Sequence, residues 1–162
     1  MKSDSLTHID AKGVARIVDV SEKSITLRTA CARAKVQLGA QILKSVTDGE
    51  LKSAKGPVFQ TAIIAGTMAA KRTGDLIPLC HPIGLDDCQI NIEVLDLNSI
   101  QIECRVKVSG RTGVEMEALT GATVAALTVY DMCKAMSHDI EICNVYLCSK
   151  TGGRNNYERA RD

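Results

Sequence analysis

Residues 58–73, VFQTAIIAGTMAAKRT, carry Ala62, Ala65, Gly66, Ala69 and Ala70 at helical spacing. A helix with that stripe packs by letting a second backbone come close, because nothing bulky on the face holds the two apart. The remaining composition demands the same solution. Aromatic residues are 2% of the 162, with no Trp and one Phe, so Ala, Val, Ile and Leu must fill the interior. A chain of this length forms one domain with a real core, and no repeat or low-complexity linker divides residues 1–162.

Residues 24–38, SITLRTACARAKVQL, alternate Ala30, Ala32, Ala34, Val36 and Leu38 with Thr29, Cys31, Arg33, Lys35 and Gln37, which predicts a strand with one buried face. A short helical piece around AQILKSVTD follows, and GELKSAKGPV reads as a loop punctuated by Gly49, Gly56 and Pro57. The small-residue helix should stop at Gly74. A hairpin comes next: Ile90, Ile92 and Val94 alternate in one arm, Ile100, Ile102, Cys104, Val106 and Val108 in the other, with a turn near DLNS. TGVEMEALTGATVAALTVYDMCKA, residues 112–135, is a long apolar helix, and IEICNVYLCS is a last strand. The order is βαββαβ, the α+β arrangement called ferredoxin-like. VARIVDV, near the N-terminus, would be an extra strand added to an edge or reaching a neighbour.

Several function classes drop out. Twenty Lys and Arg against nineteen Asp and Glu give a net charge of +1, so no global field draws nucleic acid or an acidic membrane, and any anion site is a local cluster. Base-stacking platforms need aromatics that are missing. Seven cysteines with no C-x-x-C pair argue against a disulfide framework or zinc knuckle, and for buried thiols in a reducing compartment. MKSDSLTHID has no apolar targeting core, and no later segment is a membrane span. The expected location is cytoplasmic, or the mitochondrial matrix if a eukaryotic transit peptide has been removed.

Charges inside the long apolar helix are the first candidates for chemistry. Asp131, Lys134 and His138 fall three and four residues apart at its end. They read either as an ordinary solvated ion pair or as an acid/base couple in a pocket partly dried by Tyr130, Met132 and Cys133. At its start Glu115 and Glu117 flank Met116, where the helix dipole alone accounts for two carboxylates. In DLIPLCHPIGL, prolines bracket Leu79, Cys80 and His81, holding the chain extended with free backbone groups able to read a polar heterocycle. Cys80 and His81 lack further ligands at metal spacing, so no metal site is expected. Among the scattered cations Lys23, Arg28, Lys55, Lys71, Arg72 and Lys150, those beside glycines, Lys55 and Lys150, are best placed for phosphate.

Together LTHID, DLIPLCHP, TGVEMEALT and VAALTVYDMCKA closely resemble the cyclic pyranopterin monophosphate synthase family of molybdenum cofactor biosynthesis, from about Leu6 to Lys150. The resemblance implies a lyase. It converts a cyclised dihydro-GTP (3′,8-cyclo-7,8-dihydroguanosine 5′-triphosphate) to cyclic pyranopterin monophosphate and pyrophosphate. It also implies a ferredoxin-like subunit in a homohexamer, a trimer of dimers with each site shared across a dimer interface. Asp131, Lys134 and Lys55 then take the catalytic positions. Leu79, Cys80 and His81 contact the heterocycle, Met116 and Glu117 (with Glu115 beside them) reach in from a partner subunit, and Lys71, Lys150, Lys23 and Arg28 supply pocket cations. No cofactor is obligatory, and Mg2+ could ride on the triphosphate. Two positions depart from the family habit: Pro57, where Asp is frequent, and Gly74, where a bulky residue is frequent. The alternative outside enzymology is a ferredoxin-like regulatory domain that binds a nucleotide or pterin without catalysis.

Overall fold

A computed structural model describes residues 13–160. Their secondary structure comprises β1 (Thr26–Gln37), α1 (Ala40–Leu43), β2 (Val46–Thr47), β3 (Glu50–Ser53), β4 (Gly56–Pro57), α2 (Val58–Ala70), α3 (Thr73–Leu76), β5 (Asp87–Val94), β6 (Ser99–Gly110), α4 (Glu115–Cys133), β7 (Glu141–Thr151) and β8 (Tyr157–Glu158). The main sheet runs β5-β6-β1-β7-β8 with every neighbouring pair antiparallel. Each long helix therefore connects two strands that have a third lying between them, as the βαββαβ reading requires. The chain is an α+β, ferredoxin-like fold.

Central strand β1 explains the thin core. Its inward residues Ala30, Ala32, Ala34 and Val36 are 0–3% exposed, and small side chains there let α4 settle close to the sheet. The two helices approach one another equally closely. A Cβ added at Gly66 of α2 would stand 2.6 Å from the Gly121 carbonyl oxygen of α4 and 3.0 Å from the Ala125 Cβ. That is the close contact the Ala/Gly stripe called for. Val36, Leu51, Val58, Ile100, Ile102 and Val129 are fully buried around it. The other face of the sheet is polar, with Glu103 bridging Arg33 and Arg105 at 2.7 Å each.

Four local expectations change. GELKSAKGPV is not a loop but part of a small β2-β3-β4 sheet. The Glu50 carboxylate in β3 accepts hydrogen bonds from the Phe59 and Gln60 amides at 2.7 and 3.0 Å, capping an α2 whose own N-cap, Pro57, offers no side-chain acceptor. Gly74 does not end α2. It lies inside the separate short α3, where a Cβ would press on Pro82 Cα at 3.1 Å, so its bareness admits the 80s loop. The stretch 75–85 is not extended throughout, because the Cys80 amide bonds the Ile77 carbonyl and closes a turn over Pro78 and Leu79. VARIVDV forms no strand here beyond a single bridge at Ala15. The outer edge of β7 is paired with β8 only at Ser149 and Lys150. The LTHID stretch falls outside the described residues.

Candidate active site

One cluster forms at the C-terminal end of α4. The β3–β4 hairpin, tightened by a 3.1 Å bond from the Lys55 amide to Ser53 Oγ, projects Lys55 across to the helix. Lys55 Nζ donates to Asp131 Oδ2 at 2.7 Å and to the Asp131 carbonyl at 3.0 Å, while Lys134 Nζ meets Oδ1 at 2.8 Å. Each carboxylate oxygen thus holds one ammonium. Pro57 does not disturb this loop, since Gly56 takes the positive φ of +114° and Pro57 pairs with Lys52. The hydrogen bonds from Lys134 and Lys55 hold the Asp131 carboxyl down at about 2, and Asp131 in turn raises the Lys134 ammonium above its ordinary value. The expected dry pocket is absent from the single chain. The three side chains are 50–54% exposed, because Met132 and Cys133 turn into the core instead of covering them. Ion pairs so wet add little stability, and their value lies in orientation. His138 sits beyond the helix end, outside the cluster.

A second group surrounds the N-terminal end of α4. A cavity of about 440 Å³ is lined by Lys23, Leu79, Cys80, His81, Glu115, Met116 and Glu117, together with Val18, Val20 and Arg154. His81 Nε2 lies 2.7 Å from the Val18 carbonyl oxygen, tying the N-terminal segment across this cavity. Lys150 Nζ pairs with Glu115 Oε1 at 2.8 Å. Glu117 is 3% exposed with Oε2 unpartnered, and desolvation pushes its carboxyl upward. Burial, with the nearby Glu117 charge, raises the Cys80 thiol. An adjoining 300 Å³ cavity, containing Lys71 and Arg72, also touches Glu117. Arg28 enters neither; its Nε donates to the Gly110 carbonyl at 3.0 Å.

The structure thus brings Lys55, Asp131 and Lys134 together, and Lys23, Leu79, Cys80, His81, Glu115, Met116, Glu117 and Lys150 together, but not the two groups. Sixteen residues separate Glu115 from Asp131 on α4, about 24 Å of helix. No single small molecule bridges that within one chain.

Relatives identify what such an arrangement belongs to. The sequence profile of the MoaC family matches residues 17–153. The chain belongs to the MoaC family. A Xanthomonas campestris pv. campestris protein called cyclic pyranopterin monophosphate synthase is 50% identical over 159 residues, 98% of this chain and 96% of that one. Cyclic pyranopterin monophosphate synthase 1 of Mycobacterium tuberculosis is 52% identical over 155 residues, covering 96% and 90% of the two chains. Molybdenum cofactor biosynthesis protein 1 of Drosophila melanogaster is 52% identical over 155 residues, but these are 27% of its length.

In this MoaC-family chain, Glu117 gives a stability test. A carboxyl whose folded pKa is raised stabilises the fold most when protonated, and that contribution is lost as pH rises through the raised value. Glu117→Gln cannot ionise. The melting temperature of the variant minus that of the parent should therefore be smallest near pH 4 and grow in the variant's favour towards pH 8. Thermal unfolding across that range with a pH-independent difference would show that Glu117 ionises as freely as a solvated carboxylate.

Proposed function

We propose that the chain is a cyclic pyranopterin monophosphate synthase, acting on the cyclised dihydro-GTP in molybdenum cofactor biosynthesis. The observation that carries this beyond family membership is Asp131 with one lysine on each carboxylate oxygen. A passive binder of nucleotide or pterin needs cations, but not an anion that fixes two ammonium groups in register. With Asp131 ionised and Lys134 protonated at neutral pH, the lysines are the proton donors to ring nitrogens during rearrangement. Asp131 aims them and stabilises their charge. Closing the cyclic phosphate forms a bond from a sugar hydroxyl to the α-phosphorus and breaks the bond to pyrophosphate. Pocket cations offset the charge that gathers on the leaving group.

The site is completed by a second copy. Met116, Thr123, Leu127, Asp131 and Lys134 form one exposed line on α4, with Leu127 56% and Met116 38% accessible. A two-fold axis near Thr123 and Val124, midway between Met116 and Asp131, lays two such helices antiparallel. Asp131 of one copy then faces the Met116–Glu117 turn of the other, and the exposed Met116 and Leu127 are covered. A trimer of such dimers is the assembly this reading favours. Among the described residues no three His, Cys, Asp or Glu side chains converge as a metal cage, and in this scheme Mg2+ belongs with the substrate's triphosphate. Seven free cysteines suit a reducing compartment, the cytoplasm or the mitochondrial matrix, and no helix among the described residues is long and apolar enough to cross a membrane.

Purified protein given the cyclised dihydro-GTP is expected to release one pyrophosphate for each pterin product formed. Substrate bound without pyrophosphate or pterin appearing would replace the lyase reading with the binding domain.

A further inference from the structure

We propose that Arg154 is a phosphate-binding residue that grips the pyrophosphate end of the substrate, a role that rests on the lyase reading above. The residue follows the segment matched by the family profile, which stops at 153. It nonetheless lines the same 440 Å³ cavity as His81, Met116 and Glu117.

Its loop is held rather than left free. Gly152 has φ +82°, and a side chain there would overlap the Leu27 carbonyl oxygen, so β7 passes under the start of β1 only as glycine. Thr26 Oγ1 donates to the Gly152 carbonyl at 2.8 Å, and the Gly152 amide donates to Asn156 Oδ1 at 3.2 Å. Beyond the turn, Tyr157 and Glu158 pair with Lys150 and Ser149. Both ends of the connection between β7 and β8 are thereby pinned while Arg154 stands at its tip.

The charge pattern picks out this guanidinium. Lys150 is already paired with Glu115, and the Arg111 Nε is engaged by the Lys23 carbonyl at 3.0 Å. Arg154 has no hydrogen bond or ion pair with any described residue, and Glu117 beside it resists ionisation. An unneutralised positive charge therefore faces the opening. Position assigns the part of the ligand it meets. Leu79, Cys80 and His81 are half-buried and Glu117 is buried, so the heterocycle belongs deeper, whereas Arg154 and Lys23 are exposed at the rim, where a polyphosphate tail emerges. A planar guanidinium binds two phosphate oxygens through a rigid pair of parallel N–H bonds, a geometry an ammonium does not offer.

Inorganic pyrophosphate is the probe, titrated calorimetrically into the full-length protein at several salt concentrations. Arg154→Gln should bind it about tenfold more weakly, with a shallower salt dependence, and Arg154→Lys should fall between Gln and the parent. In turnover, the inhibition constant for pyrophosphate should rise by the same factor as its Kd. Exposed and unpartnered, Arg154 should be replaceable without a change in melting temperature, and if the Gln variant melts early the Lys variant decides. A Kd unchanged in Arg154→Gln overturns the proposal, as does a parent protein that turns over but does not bind pyrophosphate. Arg154-dependent pyrophosphate binding in a protein that forms no product upholds the phosphate grip and removes the lyase reading instead.

Discussion

Subunits carrying Asp131→Asn, mixed with subunits carrying Glu117→Ala, are expected to regain turnover that neither retains alone. The amide in Asp131→Asn keeps the shape of the side chain but can no longer hold two ammonium groups by charge, so turnover should fall about 100-fold or more while substrate affinity changes little. Glu117→Ala removes a buried carboxyl from the far end of the same helix. With each site built from Asp131 of one copy and Glu117 of the other, a mixed dimer has one pocket with both lesions and one with neither. Random reassortment makes half the dimers mixed, so equal mixing should restore about a quarter of parental activity. If both residues served the pocket of their own chain, no mixing ratio could restore anything. Native mass spectrometry must show that subunits have exchanged. Proven exchange without recovered activity refutes the shared pocket and leaves Glu117 a structural residue of α4.

Gly66→Val should be the most damaging single change away from the site. A Cβ alone at Gly66 lies 2.6 Å from both the Gly121 carbonyl oxygen and the Ile90 Cδ1. The first of these is backbone in the middle of α4 and cannot rotate aside. The helices have to separate, at a cost of about 3 kcal/mol or more, which exceeds the roughly 0.5 kcal/mol gained by removing glycine from a helix. For a chain of this size the melting temperature should drop by about 10 °C. Gly84→Ala is the matched control, because nothing lies within 4 Å of a Cβ there and its φ is ordinary. Equal melting temperatures for Gly66→Val and Gly84→Ala would mean that the two helices are not in the close contact described.

The parts of this fold that could be read in advance are those with a long period. Twelve residues of β1, twelve of β6 and nineteen of α4 each repeat their pattern several times, and the Ala/Gly stripe on α2 announced how closely its neighbour would come. The β3–β4 hairpin is too short to show alternation, and its glycines imitate a loop. The N-terminal segment has a strand's composition, but composition supplies no partner strand, and it forms only a single bridge at Ala15. At the site, residue types were legible and environments were not. Asp131 and Lys134 lie on a visible i, i+3 spacing, yet their wetness depends on where Met132 and Cys133 point. Glu117 reads in sequence as a dipole-favoured carboxylate, although it shares a helical arc with Val114, Gly121 and Ala125, all buried. That register carried the signal of its burial. Arg154 was hidden in plain view behind Gly152 and Gly153, whose turn aims it.

In a dimer of the kind proposed, α4 behaves as a lever shared between two workplaces. A nineteen-residue helix uninterrupted by proline has no soft joint and moves as one body. A substrate that draws the Glu117 end towards itself therefore displaces Asp131 in the neighbouring pocket. Whatever free energy couples the first binding event to the second acts with equal size in reverse. The two pockets of one dimer are then not independent, and the signature is a titration curve that departs from a single-site hyperbola even though the two subunits are identical.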